Sequence, residues 1–229
     1  MTMTCILPNG VTIAYTVSGE RDAPPMVLLH GGANDHTTWD RVLPSLAQTH
    51  HVYALDQRGH GQSSRTDAYS FELMRDDLLG FLDALGLDRV VLVGHSMGGT
   101  VAWLFAPHHG DRLTRMVIVD VAPNRPGDPK IDIWPRPDNW DRPAEYEAVA
   151  AVLSQLNDPD PAWTTDLARI TTPTLVVAGG EKSHVDQARL AEIVASLPDA
   201  RLVTIPVGHG VHKDAPDEFL AAVQDFLST

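Results

Sequence analysis

The sequence predicts an α/β fold, a mostly parallel central sheet with helices on both faces, and three observations carry that expectation. Short β-branched runs alternate with longer stretches of helical period along nearly the whole chain. Most of the runs are apolar without a break, as strands buried on both faces must be. With 229 residues the chain can bury one sizeable core of this kind, so a single domain over 1–229 is expected.

In chain order the expected strands are Val11–Val17, Met26–Leu29, Val52–Leu55, Val90–Val93, Met116–Val119, Thr174–Ala178 and Arg201–Ile205. Phe71, Met74, Leu78, Leu82 and Leu85 recur at intervals of three and four, which marks the buried stripe of a helix between the third and fourth runs. Val101, Leu104 and Phe105 follow the fourth run in a helical pattern. Phe219, Val223, Phe226 and Leu227 make a terminal stripe.

One stretch breaks the alternation. Pro123, Pro126, Pro129, Pro135, Pro137 and Pro143 interrupt any long helix or strand. Asp141-Arg142-Pro143 then reads as a helix start, followed by Tyr146, Val149, Leu153 and Leu156 at helical spacing. Residues from about 122 to 163 are therefore expected to form a short cap insertion over the sheet rather than a second domain.

Composition excludes several function classes. Thirty acidic against 17 basic side chains give a formal charge of −13, which repels polyanions, so nucleic acid is not an expected partner. Cys5 is the only cysteine, which rules out an intrachain disulfide and argues against a cysteine-based metal cluster. The start Met1-Thr2-Met3-Thr4-Cys5-Ile6-Leu7-Pro8 lacks the charged and apolar regions of a signal peptide. No run approaches the roughly 20 apolar residues of a membrane span, so a cytoplasmic protein without membrane attachment is expected.

The chemistry is concentrated in one turn. Val90-Val91-Leu92-Val93 runs directly into Gly94-His95-Ser96-Met97-Gly98-Gly99, and helix follows. In this strand, G-x-S-x-G, helix context the glycines let the backbone pass tightly around a strained serine. The turn lifts the Ser96 hydroxyl above the sheet. It also puts the Met97 backbone N–H at a helix N-terminus, where developing negative charge is stabilised.

With this turn, the Leu29-His30-Gly31-Gly32 segment, the loop Asp56-Gln57-Arg58-Gly59-His60-Gly61-Gln62-Ser63 and the late Gly208-His209, the sequence resembles the α/β-hydrolase superfamily over nearly its whole length. The resemblance implies the α/β-hydrolase fold. It makes the Gly32 backbone N–H the second oxyanion donor, with Ala33 as the neighbouring alternative, and leaves His30 and the Asp56–Ser63 loop as scaffold.

A serine hydroxyl needs a base, and imidazole suits that task near neutral pH. Of the eleven histidines, His209 follows the last expected strand, where the family's catalytic histidine stands. The commonest family pattern then places an aspartate after the seventh strand, in a segment resembling Gly-Glu-Lys-Asp. This chain has Gly180-Glu181-Lys182-Ser183 there.

Asp120, at the tip of Met116–Val119, offers a carboxylate from the neighbouring strand. With Val121-Ala122-Pro123 after it, it resembles a subset of small serine esterases whose catalytic acid follows strand six. Glu181 and Asp186 remain alternatives, as does a purely structural Asp120. A metal site from His184, Asp186, His209 and His212 finds no support in spacing, so no metal is expected.

The expected activity is cleavage of a carboxylic ester, or a related acyl bond, of a small molecule by Ser96, His209 and Asp120 without a cofactor. Thioesterase, lactonase, carbon–carbon bond hydrolase and cofactor-free perhydrolase chemistry use the same triad. Epoxide hydrolases and haloalkane dehalogenases attack with aspartate, which Ser96 argues against. A non-catalytic small-molecule-binding protein is the alternative of a different class, favoured only by Ser183. Trp134, Trp140 and Trp163, three of the five tryptophans, are candidate pocket residues or else packing residues.

Overall fold

The computed structural model describes every residue except Trp134, Asn139, Asp141, Arg142 and Thr229. The chain starts with two antiparallel strands, β1 (Met3–Ile6) and β2 (Thr12–Ser18), and β2 pairs antiparallel with β4 (His51–Leu55). Strand β3 (Pro25–Leu29) lies parallel between β4 and β5 (Val90–His95). Strands β6 (Leu113–Val119), β7 (Thr174–Ala178) and β8 (Ala200–Thr204) extend the parallel part outward. The order is β1-β2-β4-β3-β5-β6-β7-β8.

That order reverses direction between β3 and β5. The connections leaving these two strands depart to opposite sides, and a crevice opens at their carboxyl ends, the usual ligand position in a wound sheet. Pairing of Leu29 with Gly94 and of His95 with Val119 brings the ends of β3, β5 and β6 to one edge.

Both faces of the sheet are covered, which explains the unbroken apolar runs. On one face Val27, Leu29, Leu92, Ile118 and Val176 pack with α2 (Phe71–Ala84), α3 (Met97–His109) and α6 (Gln187–Ser196). On the other, Val91, Val93, Val117, Val119 and Val177 pack with Trp39, α1 (Leu43–Leu46) and α8 (Pro216–Leu227). The Ser70 hydroxyl caps α2 by accepting from Leu73 N, and Phe71, Met74, Leu78 and Leu82 face inward as their spacing predicts. Among the described residues no helix is long and apolar enough to cross a membrane.

Among the strands and the helices longer than four residues, the sequence reading misses two. Strand β1 is a short edge strand with Met3 and Ile6 exposed, so it carries no continuous apolar signal. Helix α6 starts at the Asp186 cap, whose carboxylate accepts from Ala188 and Arg189 N–H groups at 3.0 and 3.2 Å. Strand β6 also begins earlier than its apolar run, because Leu113 pairs with Val90 ahead of the half-buried Thr114 and Arg115.

The proline-rich stretch after β6 forms neither helix nor strand among its described residues until α4 (Pro143–Asn157), which is followed by the short α5 (Ala162–Thr165). Of the expected helix start, Asp141 and Arg142 lie outside the described residues. Another short helix, α7 (Val211–Asp214), precedes α8.

Candidate active site

Strand β5 delivers Ser96 into a left-handed backbone conformation, φ 51° and ψ −116°, immediately before α3. Such a conformation costs a non-glycine residue about 1–3 kcal/mol and persists only where neighbours enforce it. Ser96 N–H donates to Val119 O at 3.2 Å, and Gly98 N–H donates to His30 O at 3.0 Å. The close approach explains Gly98, since a Cβ there would fall 2.4 Å from Leu29 O. Among the described residues the non-glycine positions with positive φ are Ala33, Ser96 and Asp120, and all three sit at the ends of adjacent strands.

Asp120 is fully buried, and four donors converge on its carboxylate. Oδ1 accepts from Gly179 N–H at 2.7 Å and from Gln187 Nε2 at 3.4 Å. Oδ2 accepts from Ser183 Oγ at 2.5 Å and from His209 Nδ1 at 2.8 Å. Burial by itself raises the carboxyl pKa, but the bonds from His209, Ser183 and Gly179 outweigh it and hold the group below its ordinary value. An ionised carboxylate can only accept, so the proton of neutral His209 resides on Nδ1 and Nε2 is left as the basic nitrogen.

His209 is fixed through its backbone as well. His95 Nε2–H donates to His209 O at 2.9 Å, which ties the nucleophile turn to the loop that carries the imidazole. Two tilted rings lie against it: His184 lies 4.3 Å and His95 4.7 Å from its centroid. His212 follows His95 at 4.7 Å, and Trp39 follows His212 at 4.3 Å. Burial pushes the His95 pKa well below its ordinary value and that of His212 down to about 3, so both rings are neutral at physiological pH.

The turn after β3 is held by His30, which is buried and whose pKa burial pushes down to about 3. Its Nδ1–H donates to Gly31 O at 2.7 Å while Nε2 accepts from Gln57 N–H at 3.0 Å. Glycine at 31 is required by contact, because a Cβ there would meet His95 Nδ1 at 2.9 Å and Ser96 Cβ at 3.2 Å. The Asp56–Ser63 loop is anchored largely by residues outside it. Asp56 accepts from His36 and Gln62, and the buried Arg58 forks onto Asp77 at 2.5 and 2.6 Å.

A cleft of about 460 Å³ opens above these turns and brings Gly32, Ser96, Met97 and His209 to one surface. Helices α2 and α4 line it with Phe71, Val149, Val152, Leu153 and Leu156. The 124–130 segment and the start of α6 add Asn124, Arg125, Asp128, Lys130, Asp186 and Arg189.

Of the two readings of the tryptophans, pocket or packing, the contacts favour packing. Trp163 does not line the cleft: it packs edge-on against Phe71 at 5.3 Å and donates Nε1–H to Glu72 Oε1 at 2.9 Å, beneath α2. Trp140 meets Tyr146 edge-on at 6.0 Å and is also absent from the cleft wall, while Trp134 lies outside the described residues. Packing against neighbouring helices, which spacing cannot reveal, accounts for Trp140 and Trp163. Neither alternative acid touches the His209 ring: Glu181 is exposed in a 3-10 turn and Asp186 caps α6.

Among the described residues one trio, Asp35, His36 and Asp56, is close enough to share a metal ion, and its atoms are already engaged with one another or with Thr37. His184, Asp186, His209 and His212 do not converge in this way. Sequence reasoning missed the contributions of Ser183, Gln187 and Gly179 to Asp120, and no local signal announces them.

The alpha/beta hydrolase fold family model matches residues 24–160, which include the turns after β3, β5 and β6. The chain is 29% identical over 256 residues to the sn-1-specific diacylglycerol lipase ABHD11 of Mus musculus, covering 93% of this chain and 83% of that one. It is 25% identical over 247 residues to Esterase YbfF of Escherichia coli (strain K12), covering 94% and 97%. A solved hydrolase from Pseudomonas aeruginosa PA01 aligns with a TM-score of 0.84 at 27% identity, covering 100% of this chain and 98% of that one. Sheet order, the strained turn after β5 and these likenesses agree: the chain belongs to the alpha/beta hydrolase fold family.

Proposed function

We propose that this hydrolase cleaves a carboxylic ester of a small molecule through an acyl-enzyme on Ser96. The observation that carries the reading is the His209 ring, tethered at Nδ1 by buried Asp120 at 2.8 Å while ring and Ser96 open on one cleft. His209 Nε2 takes the Ser96 proton as Oγ attacks the carbonyl carbon. Asp120 holds the ring in the required tautomer and stabilises the imidazolium that forms.

The oxyanion meets the Met97 N–H, which as the first residue of α3 has no intrahelical acceptor, and the Gly32 N–H on the facing turn. His209 then returns its proton to the departing alcohol. Water, deprotonated by the same nitrogen, releases the acid, and the sequence of steps uses no cofactor.

Residues 122–163 serve as a reduced cap on a single domain. The apolar side chains of α2 and α4 suit an uncharged alkyl or aryl portion of the ester. A diacylglycerol lipase and an esterase among the relatives support ester chemistry. Ser183, the one feature that favoured a binding protein, donates to the acid instead of leaving the base without one.

The test is turnover of a panel of short- and medium-chain p-nitrophenyl esters by native protein and by Ser96→Ala. We expect the variant to lose at least about 10³-fold in kcat while remaining folded. Equal turnover by the two proteins would overturn the serine mechanism.

A further inference from the structure

Ser183 occupies the place where the commonest pattern of the family has its acid, yet it is neither a bystander nor a surface residue. Its hydroxyl is 2.5 Å from Asp120 Oδ2, the same oxygen that receives His209 Nδ1–H. The ionised carboxylate cannot donate, so Ser183 Oγ–H must. Its own lone pair accepts Val185 N–H at 3.0 Å, which fixes the direction of the hydroxyl. The result is a directed chain from Val185 through Ser183 to Asp120, met from the other side by His209. Hydrogen bonds linked in this way polarise one another.

We propose that Ser183 is a positioning residue for catalysis, and that positions 120 and 183 form one exchangeable unit in which either can carry the carboxylate that orients His209. The proposal rests on the triad described above. Asp120 sits on a left-handed backbone with φ 49°, and its carboxylate is under external restraint. Ser183 and Gly179 supply it from two sides.

The exchange is geometrically plausible because serine Oγ stands where aspartate has Cγ. A carboxylate at 183 would project an oxygen about 1.2 Å further, covering about half of the 2.5 Å to the present Asp120 Oδ2 position. The titratable neighbours stay the same in the exchange. His209 and His184 face the carboxylate, His95 and His212 lie behind His209 with Lys213 beside them, and Glu181 and Lys182 are exposed on the adjoining turn.

The experiment measures kcat, KM and the pH profile of ester hydrolysis for Ser183→Ala, Ser183→Thr, Asp120→Ser, Ser183→Asp and the exchanged pair Asp120→Ser/Ser183→Asp, with folding checked by circular dichroism. Ser183→Ala should lose roughly 10-fold in kcat with KM little changed, as expected for losing one bond to a charged group, and Ser183→Thr should restore most of it. Ser183→Asp alone places two carboxylates on one site, so one stays protonated and the acid limb should move to higher pH.

The exchanged pair should exceed Asp120→Ser by at least about 10-fold in kcat, a small part of the roughly 10⁴ attached to the acid. Native kcat and pH profile in Ser183→Ala would overturn the proposal. So would a folded exchanged pair no better than Asp120→Ser. If the pair fails to fold, the contrast between Ser183→Ala and Ser183→Thr decides. Near-native activity in Asp120→Ser would instead strike the triad itself, so the two failures are distinguishable.

Discussion

The two walls of the cleft are built by opposite means. The platform at the strand ends is largely buried, and its key polar groups are fixed by hydrogen bonds: four donors on Asp120, His30 bonded at both ring nitrogens, His95 holding the backbone of His209. The 122–163 segment is held partly by bonds within itself and partly by ties to the helices beside it, Gln155 and Trp163 to α2 among them. Asn157 pairs its amide with Ile131 N and O at 2.7 and 2.8 Å, Asn124 donates to Leu156 O at 3.1 Å, and Arg189 bridges to Asp128 and Pro123 O. Ile131 and Ile133 remain exposed beside them. Placement of reacting atoms tolerates little error, whereas a substrate wall gains from being replaceable.

The largest test of this contrast is Asp120→Asn. It preserves shape and tolerates the left-handed backbone, but it removes the charge and permits the wrong imidazole tautomer. We expect kcat to fall by up to about 10⁴-fold together with a lower melting temperature, because the amide NH2 faces donors that the carboxylate accepted from, measured by steady-state kinetics and thermal unfolding. A loss of less than tenfold would show that the platform's most buried charge is only structural.

The next test is acid stability. His30 and His212 have pKa values near 3 in the folded protein and His95 lies well below its ordinary value, while the unfolded chain binds protons at about 6.5. The stability these neutral rings lend is therefore complete above about pH 6.5 and is lost as pH falls toward 3. Each contributes a slope of up to about 1.4 kcal/mol per pH unit in that window. Depression of the Asp120 pKa acts in the same direction at lower pH. Urea unfolding at successive pH values should show stability falling steeply below pH 6. A flat profile down to pH 4 would mean that the histidines are charged, and hence hydrated, in the native state.

The smallest effect is expected at the other wall. Asp128→Asn weakens the tether between Arg189 and the segment it holds, a partly buried pair on the cleft wall away from the Asp120–His209 bond. KM for a medium-chain ester should change a few-fold while kcat for a short acetate ester stays native. An equal fall in both would show that the segment helps to place the reacting atoms.

What was legible in the sequence follows the same division. Ser96 and the turn around it were readable because strand, glycines and helix are contiguous. His209 was readable from its place after the last parallel strand. Asp120 could be singled out as a carboxylate on a neighbouring strand end once Ser183 was seen to lack a charge.

Contacts made through space left no such trace. Ser183 was read as an absence, because nothing in Gly180-Glu181-Lys182-Ser183 tells that its hydroxyl bends toward β6. For Trp163 the sequence leaves pocket and packing roles open, because its distance along the chain from Phe71 hides their contact. Helix α6 begins at a cap that competes with several acidic residues for notice, and β1 is too exposed to carry an apolar pattern.

The hydrogen bonds from Ser96 N–H to Val119 O, Asp120 N–H to Val177 O and Gly208 N–H to Gly179 O run stepwise across four neighbouring strand ends. Ser96, Asp120 and the residue just ahead of His209 are thus tied to one continuous row of strand ends. Under the proposed mechanism, motion that tilts the sheet would carry nucleophile, acid and base together, and their alignment would be insulated from changes in the wall above them.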